Sequence, residues 1–155
     1  MATKTPQYDN YHPTSLKASK TGRGNKRSGT KPERLLIHSL KELGIYVHSS
    51  KRRVQGNPDL VFWKKHLVIF CDGDFWHGRN WHERRKKMKY GANASYWIKK
   101  IEYNRLRDRK NNKELKEKGW KVIRVWESTI LRNPKSVSQR IKKVLCEKKL
   151  ILKEL

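Results

Sequence analysis

The chain is 155 residues long, 35% hydrophobic and 34% charged, and 39 lysines and arginines against 14 acids leave a formal net charge of +25. That supplies one core, so a single domain is expected. The absence of any apolar run near the ~18 residues of a membrane span, or of an apolar signal core, points to an intracellular, cytoplasmic protein without a membrane partner, and so large a positive excess calls for a polyanion such as nucleic acid. Cys71 and Cys146 are too few for a disulfide framework or a CxxC knuckle, so any metal is expected to be held by oxygen.

Residues 1–29 carry Lys20, Arg23, Lys26 and Arg27 among Gly, Ser, Thr and Pro. They read as a basic, flexible arm that orders along a phosphate backbone, or equally as a plain disordered tail. A first helix opens at Thr30, with Pro32 in its first turn, Leu36, Leu40 and Leu43 at helical spacing and Gly44 as its stop. Ile45 to His48 reads as a short strand. QGNPD is a turn that delivers Asp59 to the strand DLVFW, and HLVIFC follows closely enough to be its hairpin neighbour. Trp81 to Tyr90, basic and aromatic, reads as loop or irregular helix. A long helix is expected over Ser95–Lys118, ended by Gly119, and Trp120–Trp126 as a strand reached by a crossover. Asn133 and Pro134 then start a helix with Val137, Ile141, Val144 and Leu145 on one face. The class is α/β, a mixed sheet flanked by helices.

Three acids stand outside the solvated helical faces. Asp59 precedes one apolar strand and Asp72 follows its neighbour, so a hairpin brings both to the same edge, with Asp74 close behind. Converging carboxylates repel, and a divalent cation is the usual reason to tolerate them; Mg²⁺ suits one or two carboxylates plus waters and phosphate oxygens. Turn capping or pairing with nearby Arg and Lys is the competing explanation. His77 is a candidate base for an attacking water, since an imidazole titrates near neutral pH. On the long helix, Trp97, Ile101, Asn104 and Asp108 fall on one stripe. Facing the hairpin end, Asp108 would orient His77; otherwise it pairs with a neighbouring arginine. Thr30 and Glu33 fit a capping box, which is by itself a sufficient reason for Glu33.

The ordered series TKPE, NPDLVF, VIFCDGDFWHG, YWIKKIEYNRLRDR and GWKVIRVWE resembles the very short patch repair (Vsr) endonucleases, a branch of the restriction-endonuclease-like, PD-(D/E)xK fold. The resemblance covers about residues 20–145 and implies a Vsr-like domain over 30–149, between the arm 1–29 and a tail 150–155. It implies catalytic roles for Glu33, Asp59, His77, Asp108 and Asn104. One or two Mg²⁺ ions would sit on Asp59 and the backbone carbonyl of Cys71, with Asp72 a further candidate ligand. Phe75, Trp76 and Trp97 match aromatics that intercalate beside a T·G mismatch. Arg79, Arg84, Arg85, Lys86 and Lys87, with the arm's lysines and arginines, are candidates for DNA-backbone contacts. Family members carry a structural zinc site whose positions here hold Asp74, Arg79, Trp81 and Ser128, so no zinc is expected and Trp81 is a candidate to brace the loop.

The function implied is a Mg²⁺-dependent endonuclease that nicks duplex DNA beside a mismatch in very short patch repair, bound as a monomer. A sequence-specific homing or restriction-associated nuclease of the same fold is the first alternative. A basic nucleic-acid-binding module without catalysis is the second, and it leaves Asp59, Asp72, His77 and Asp108 unexplained.

Overall fold

The computed structural model describes residues 6, 28–47, 54–91 and 93–147. Lys20, Arg23, Lys26, Arg27, His48 and the 150–155 tail lie outside them. The first helix, α1 (Lys31–Glu42), starts where the sequence signals place it: Thr30 is its extended N-cap and its hydroxyl accepts from the Glu33 amide at 3.5 Å. Its end is a Schellman turn, with Gly44 at φ 72° donating to Lys41 and Ile45 donating to Leu40, a geometry that suits a residue without Cβ.

Strands β1 (Leu60–Phe62) and β2 (Leu67–Asp72) pair antiparallel with Leu60 opposite Ile69, and β2 pairs parallel with β3 (Lys121–Trp126), Leu67 opposite Lys121 and Asp72 opposite Trp126. The order is β1-β2-β3. A one-turn 3-10 helix (Trp63–Lys65) closes the hairpin. The remaining helices are α2 (Trp81–Met88), α3 (Ala94–Glu117), α4 (Glu127–Arg132) and α5 (Pro134–Cys146). The parallel β2–β3 pair requires a crossover, and α3 provides it.

Alternation along the strands assigns the two faces of the sheet. Leu60, Leu67, Ile69 and Val125 pack with Leu36 and Leu40 of α1, Ile130 of α4 and Val137, Ile141 and Leu145 of α5. Val68 and Phe70 turn the other way, to Leu115 of α3. Covered on both faces, β2 is an almost unbroken apolar run, as a central strand must be. Where α1 and α5 meet, the buried hydroxyls of Ser39 and Ser138 satisfy each other at 2.9 Å. Among the described residues, no helix is long and apolar enough to cross a membrane.

Two readings are corrected, and one element is added. Ile45–Val47 forms no strand; the Schellman turn carries it out of α1 as irregular chain packed on the core. Trp81–Met88 is a regular helix without apolar periodicity, held from outside by Arg85 on Glu102 of α3 at 3.2 Å and by Arg105 of α3 over the Trp81 ring. The segment after β3 is helical as α4, too short for its apolar spacing to announce it.

Candidate active site

The sheet's topology places the site. At the C-terminal end of β2, the start of β1, the N-terminus of α1, the turn 73–80 and the middle of α3 surround a cleft of about 550 Å³. It is lined by Glu33, Asp59, Cys71, Asp72, Trp76, His77, Asp108, Arg107, Arg124 and Glu127, among others. The structure thus brings together four of the five residues singled out for catalysis.

Asp59 is delivered by the QGNPD turn, in which Gly56 (φ 80°) and Asn57 (φ 52°) are both left-handed and Asn57 donates to Val54. The Asp59 amide donates to Ile69 at 2.9 Å, and its Oδ2 accepts from the Cys71 amide at 2.6 Å. The N–H and C=O of an extended residue leave on the same edge, so the Cys71 carbonyl also emerges beside Asp59. Burial raises the Asp59 carboxyl to about 6, opposed by the Cys71 hydrogen bond and reinforced by the charges of Glu33 and Asp72. The Cys71 thiol is pushed up by burial and by the same carboxylates, which leaves it un-ionised and unsuited to ligation.

Glu33 is buried at 8% exposure and both of its oxygens are engaged, Oε1 by the Thr30 hydroxyl and Oε2 by the Gly29 amide, each at 2.7 Å. The capping role is real. The same carboxylate also lines the cleft and adds to the negative field at Asp59.

The turn 73–80 aims His77. Its amides wind inward, His77 onto Gly73 and Arg79 onto Asp74, and the Asn104 amide donates to the Trp76 carbonyl at 2.9 Å. Asn104 is therefore a buried support under the residue preceding the histidine, rather than a lining group. His77 Nδ1 and Asp108 Oδ2 are 2.5 Å apart. Arg124 also lies 3.4 Å from Nδ1, but the far shorter carboxylate contact decides the tautomer: Nδ1 carries the proton, and Nε2 is left as the lone-pair nitrogen. Burial opposes ionisation of Asp108, yet the His77 hydrogen bond and charge, with Arg124 and Arg107, outweigh it and hold the carboxyl below its usual range.

Asp72, the further candidate ligand, also lines the cleft. It is 5% exposed and held by Arg124 through two hydrogen bonds of 2.6 Å. Removing one member of such a buried pair strands the other charge, at about 3–5 kcal/mol. The pairing also holds the Arg124 guanidinium above its ordinary value, against the effect of its burial.

Phe75, Trp76 and Trp97 form a half-buried aromatic cluster beside the cleft, edge-to-face with centroids 5.1, 5.5 and 5.7 Å apart. Arg84 lies over the Phe75 ring. Arg79, offered as a DNA-backbone contact, is turned inward: it bonds the Ser128 hydroxyl, pairs with Asp74 at 3.5 Å and reaches over Trp126. With Asp74 N–H on Glu127 at 3.1 Å, this clasp ties the turn to α4. Trp81 also packs on the turn, near Gly78. Arg84 and Lys87 border a second hollow on the outer side of α2, Arg85 is tied to Glu102, and Lys86 lies 3.9 Å from Glu83.

Gly78 is where the turn touches α3. At φ 67°, a Cβ there would meet Ile101 Cγ2 at 2.8 Å and Arg105 Cδ at 3.0 Å. Gly78→Ala is expected to cost about 1–3 kcal/mol from backbone strain and overpacking, measured by urea denaturation, and to reduce activity in the protein that remains folded.

The sequence reading missed Arg124 and Glu127; Arg107 it offered only as a partner for Asp108, from which it lies 3.5 Å. Arg124 had a signal: it is the one charge inside the apolar stretch of KVIRVW, where a buried arginine needs a partner.

The profile of the family described as DNA mismatch endonuclease Vsr matches residues 8–83. Type II nicking enzyme V.HpaIIP of Haemophilus parainfluenzae is 41% identical over 124 residues, covering 80% of this chain and 86% of the relative. DNA mismatch endonuclease Vsr of Escherichia coli (strain K12) is 30% identical over 133 residues, 83% of each chain. The chain belongs to the Vsr family of endonucleases. Its mixed sheet flanked by helices is accordingly the restriction-endonuclease-like fold. Type II nicking enzyme V.NmeDIP of Neisseria meningitidis serogroup C, 33% identical over 135 residues, covers 87% of this Vsr-family chain and 90% of its own length.

Proposed function

We propose that this Vsr-family endonuclease nicks one strand of duplex DNA in a Mg²⁺-dependent reaction, beside a T·G mismatch. The carrying observation is the His77–Asp108 pair at 2.5 Å, facing the cleft that holds the half-buried Asp59. A carboxylate-oriented imidazole with an available Nε2 is a competent general base for water. The net charge of +25 brings DNA to it.

The donor set fits Mg²⁺. Among the described residues, no three His, Cys, Asp or Glu side chains are grouped to hold a metal by themselves, whereas Mg²⁺ takes one or two carboxylates and completes its shell with water and phosphate. Asp59 supplies a carboxylate whose burial and acidic neighbours make a cation welcome, and the Cys71 carbonyl supplies a neutral oxygen on the same edge. When bound, Mg²⁺ polarises a phosphoryl oxygen and makes water a better nucleophile.

The protein's own part is positioning and proton transfer. Asp108 fixes the imidazole, and His77 Nε2 takes the proton of the attacking water. Asn104 holds the turn from beneath, and Glu33 keeps the α1 end of the cleft negative. Phe75, Trp76 and Trp97 are the wedge that separates bases. Unstacking costs a few kcal/mol per step and is least where pairing is already faulty, which is what favours a mismatch as target.

The test is a set of end-labelled duplexes identical except for one base pair, incubated with Mg²⁺ or with chelator. Mg²⁺-dependent nicking in one strand, fastest on the T·G duplex, is expected. Equal cutting of the paired duplex at one sequence would replace mismatch repair with site-specific nicking, and binding without nicks on every substrate would overturn the endonuclease reading.

A further inference from the structure

Five carboxylates, those of Glu33, Asp59, Asp72, Asp108 and Glu127, line one cleft, yet they are not equivalent. Arg124, on the neighbouring strand, reaches two of them. Its Nε donates to Asp72 Oδ2 and its Nη2 to Asp72 Oδ1, both at 2.6 Å. The same Nη2 lies 3.3 Å from Asp108 Oδ2, the oxygen that meets His77. Nη1 donates to Asn112 at 3.2 Å, and the guanidinium lies over the Phe70 ring, 4.5 Å from its centroid. A planar fork that grips one carboxylate with two donors and leans on a second is specific to arginine; a lysine ammonium has no such plane.

We propose that Arg124 is a positioning residue of the cleft: it takes Asp72 as its own counterion, so that Asp72 is no cation ligand, and it sets Asp108 where the imidazole meets it. The cleft is thereby divided. On the α1 side, Asp59 and Glu33 keep their negative field for a cation. On the α3 side, the charges of Asp72 and Asp108 are met by two arginines, Arg124 between them and Arg107 3.5 Å from Asp108. The inference deepens the endonuclease reading and rests on it.

The test compares Asp72→Asn, Arg124→Lys, the uncharged pair Asp72→Asn/Arg124→Gln and Asp59→Asn. Mg²⁺ binding to each full-length protein is measured by calorimetry, and kcat and KM for nicking are measured separately. Asp72→Asn is expected to bind Mg²⁺ within about twofold of wild type, while Arg124→Lys lowers kcat by about 10- to 100-fold with little change in the KM for duplex. The double variant leaves no buried charge unpaired, so it serves if a single variant fails to fold, and it should retain Mg²⁺ binding with kcat reduced. Weakening of Mg²⁺ binding by Asp72→Asn or the double variant to the level of Asp59→Asn would overturn the proposal, as would an unchanged kcat in Arg124→Lys. If the wild type binds Mg²⁺ but never nicks, the endonuclease reading fails, and the binding comparison still decides where Asp72 belongs.

Discussion

His77→Ala is expected to lower the single-turnover nicking rate by about 10²–10⁴-fold while leaving duplex affinity within about twofold of wild type, because a general base contributes to the transition state rather than to ground-state binding. The asymmetry follows from the geometry. The ring is anchored at Nδ1 by Asp108, and the positive charge that attracts the duplex is spread over 39 lysines and arginines. Rapid-quench nicking assays and binding isotherms at one fixed salt concentration check the two halves separately, since affinity for a polyanion changes steeply with salt. A variant nicking at the wild-type rate would remove His77 from the chemistry.

Asp59→Asn should abolish Mg²⁺-dependent nicking and, without metal, make the protein more stable at neutral pH. Burial lifts the folded-state carboxyl from 3.8 to about 6, so the native state binds more protons than the unfolded chain between those values. Stability therefore falls as pH rises from about 4 through about 6, and above that range ionised Asp59 costs about 2–3 kcal/mol. Asparagine removes the cost and keeps an acceptor for the Cys71 amide. Thermal melts at pH 7.5 with chelator should place the variant several degrees above wild type. Added Mg²⁺ should raise the wild-type midpoint, because a ligand that binds the native state stabilises it, and leave the variant unmoved. A variant that still responds to Mg²⁺ would show that Asp59 holds no cation, and a destabilised one would show that its ionised carboxylate carries no burial cost.

How much of this was legible in the sequence depends on how locally each feature is encoded. Thr30, Glu33 and Gly44 specify α1 within a dozen residues, and the stripe Trp97, Ile101, Asn104, Asp108 is visible because a helix repeats every few positions. These short-range rules made the meeting of Asp59, His77 and Asp108 one of two readings, and the resemblance to the Vsr endonucleases is what chose it. The partner of Asp72 was not legible, since Arg124 lies 52 positions away and becomes its neighbour through the β2–β3 register. The helix α2 escaped because its sequence lacks a hydrophobic face, and its hold comes from Glu102 and Arg105 of α3. Arg79 read as a surface cation because nothing local reveals that Asp74 and Ser128 close around it.

Diffraction at the manganese absorption edge, from crystals of the protein grown with duplex DNA and Mn²⁺ in place of Mg²⁺, locates the reaction centre directly. The account predicts an anomalous peak at bonding distance from the Asp59 carboxylate and the Cys71 carbonyl, with a DNA phosphate on its open side, His77 Nε2 facing that phosphate and Asp72 still held by Arg124. A peak on Asp72, or a phosphate seated away from His77, would contradict it.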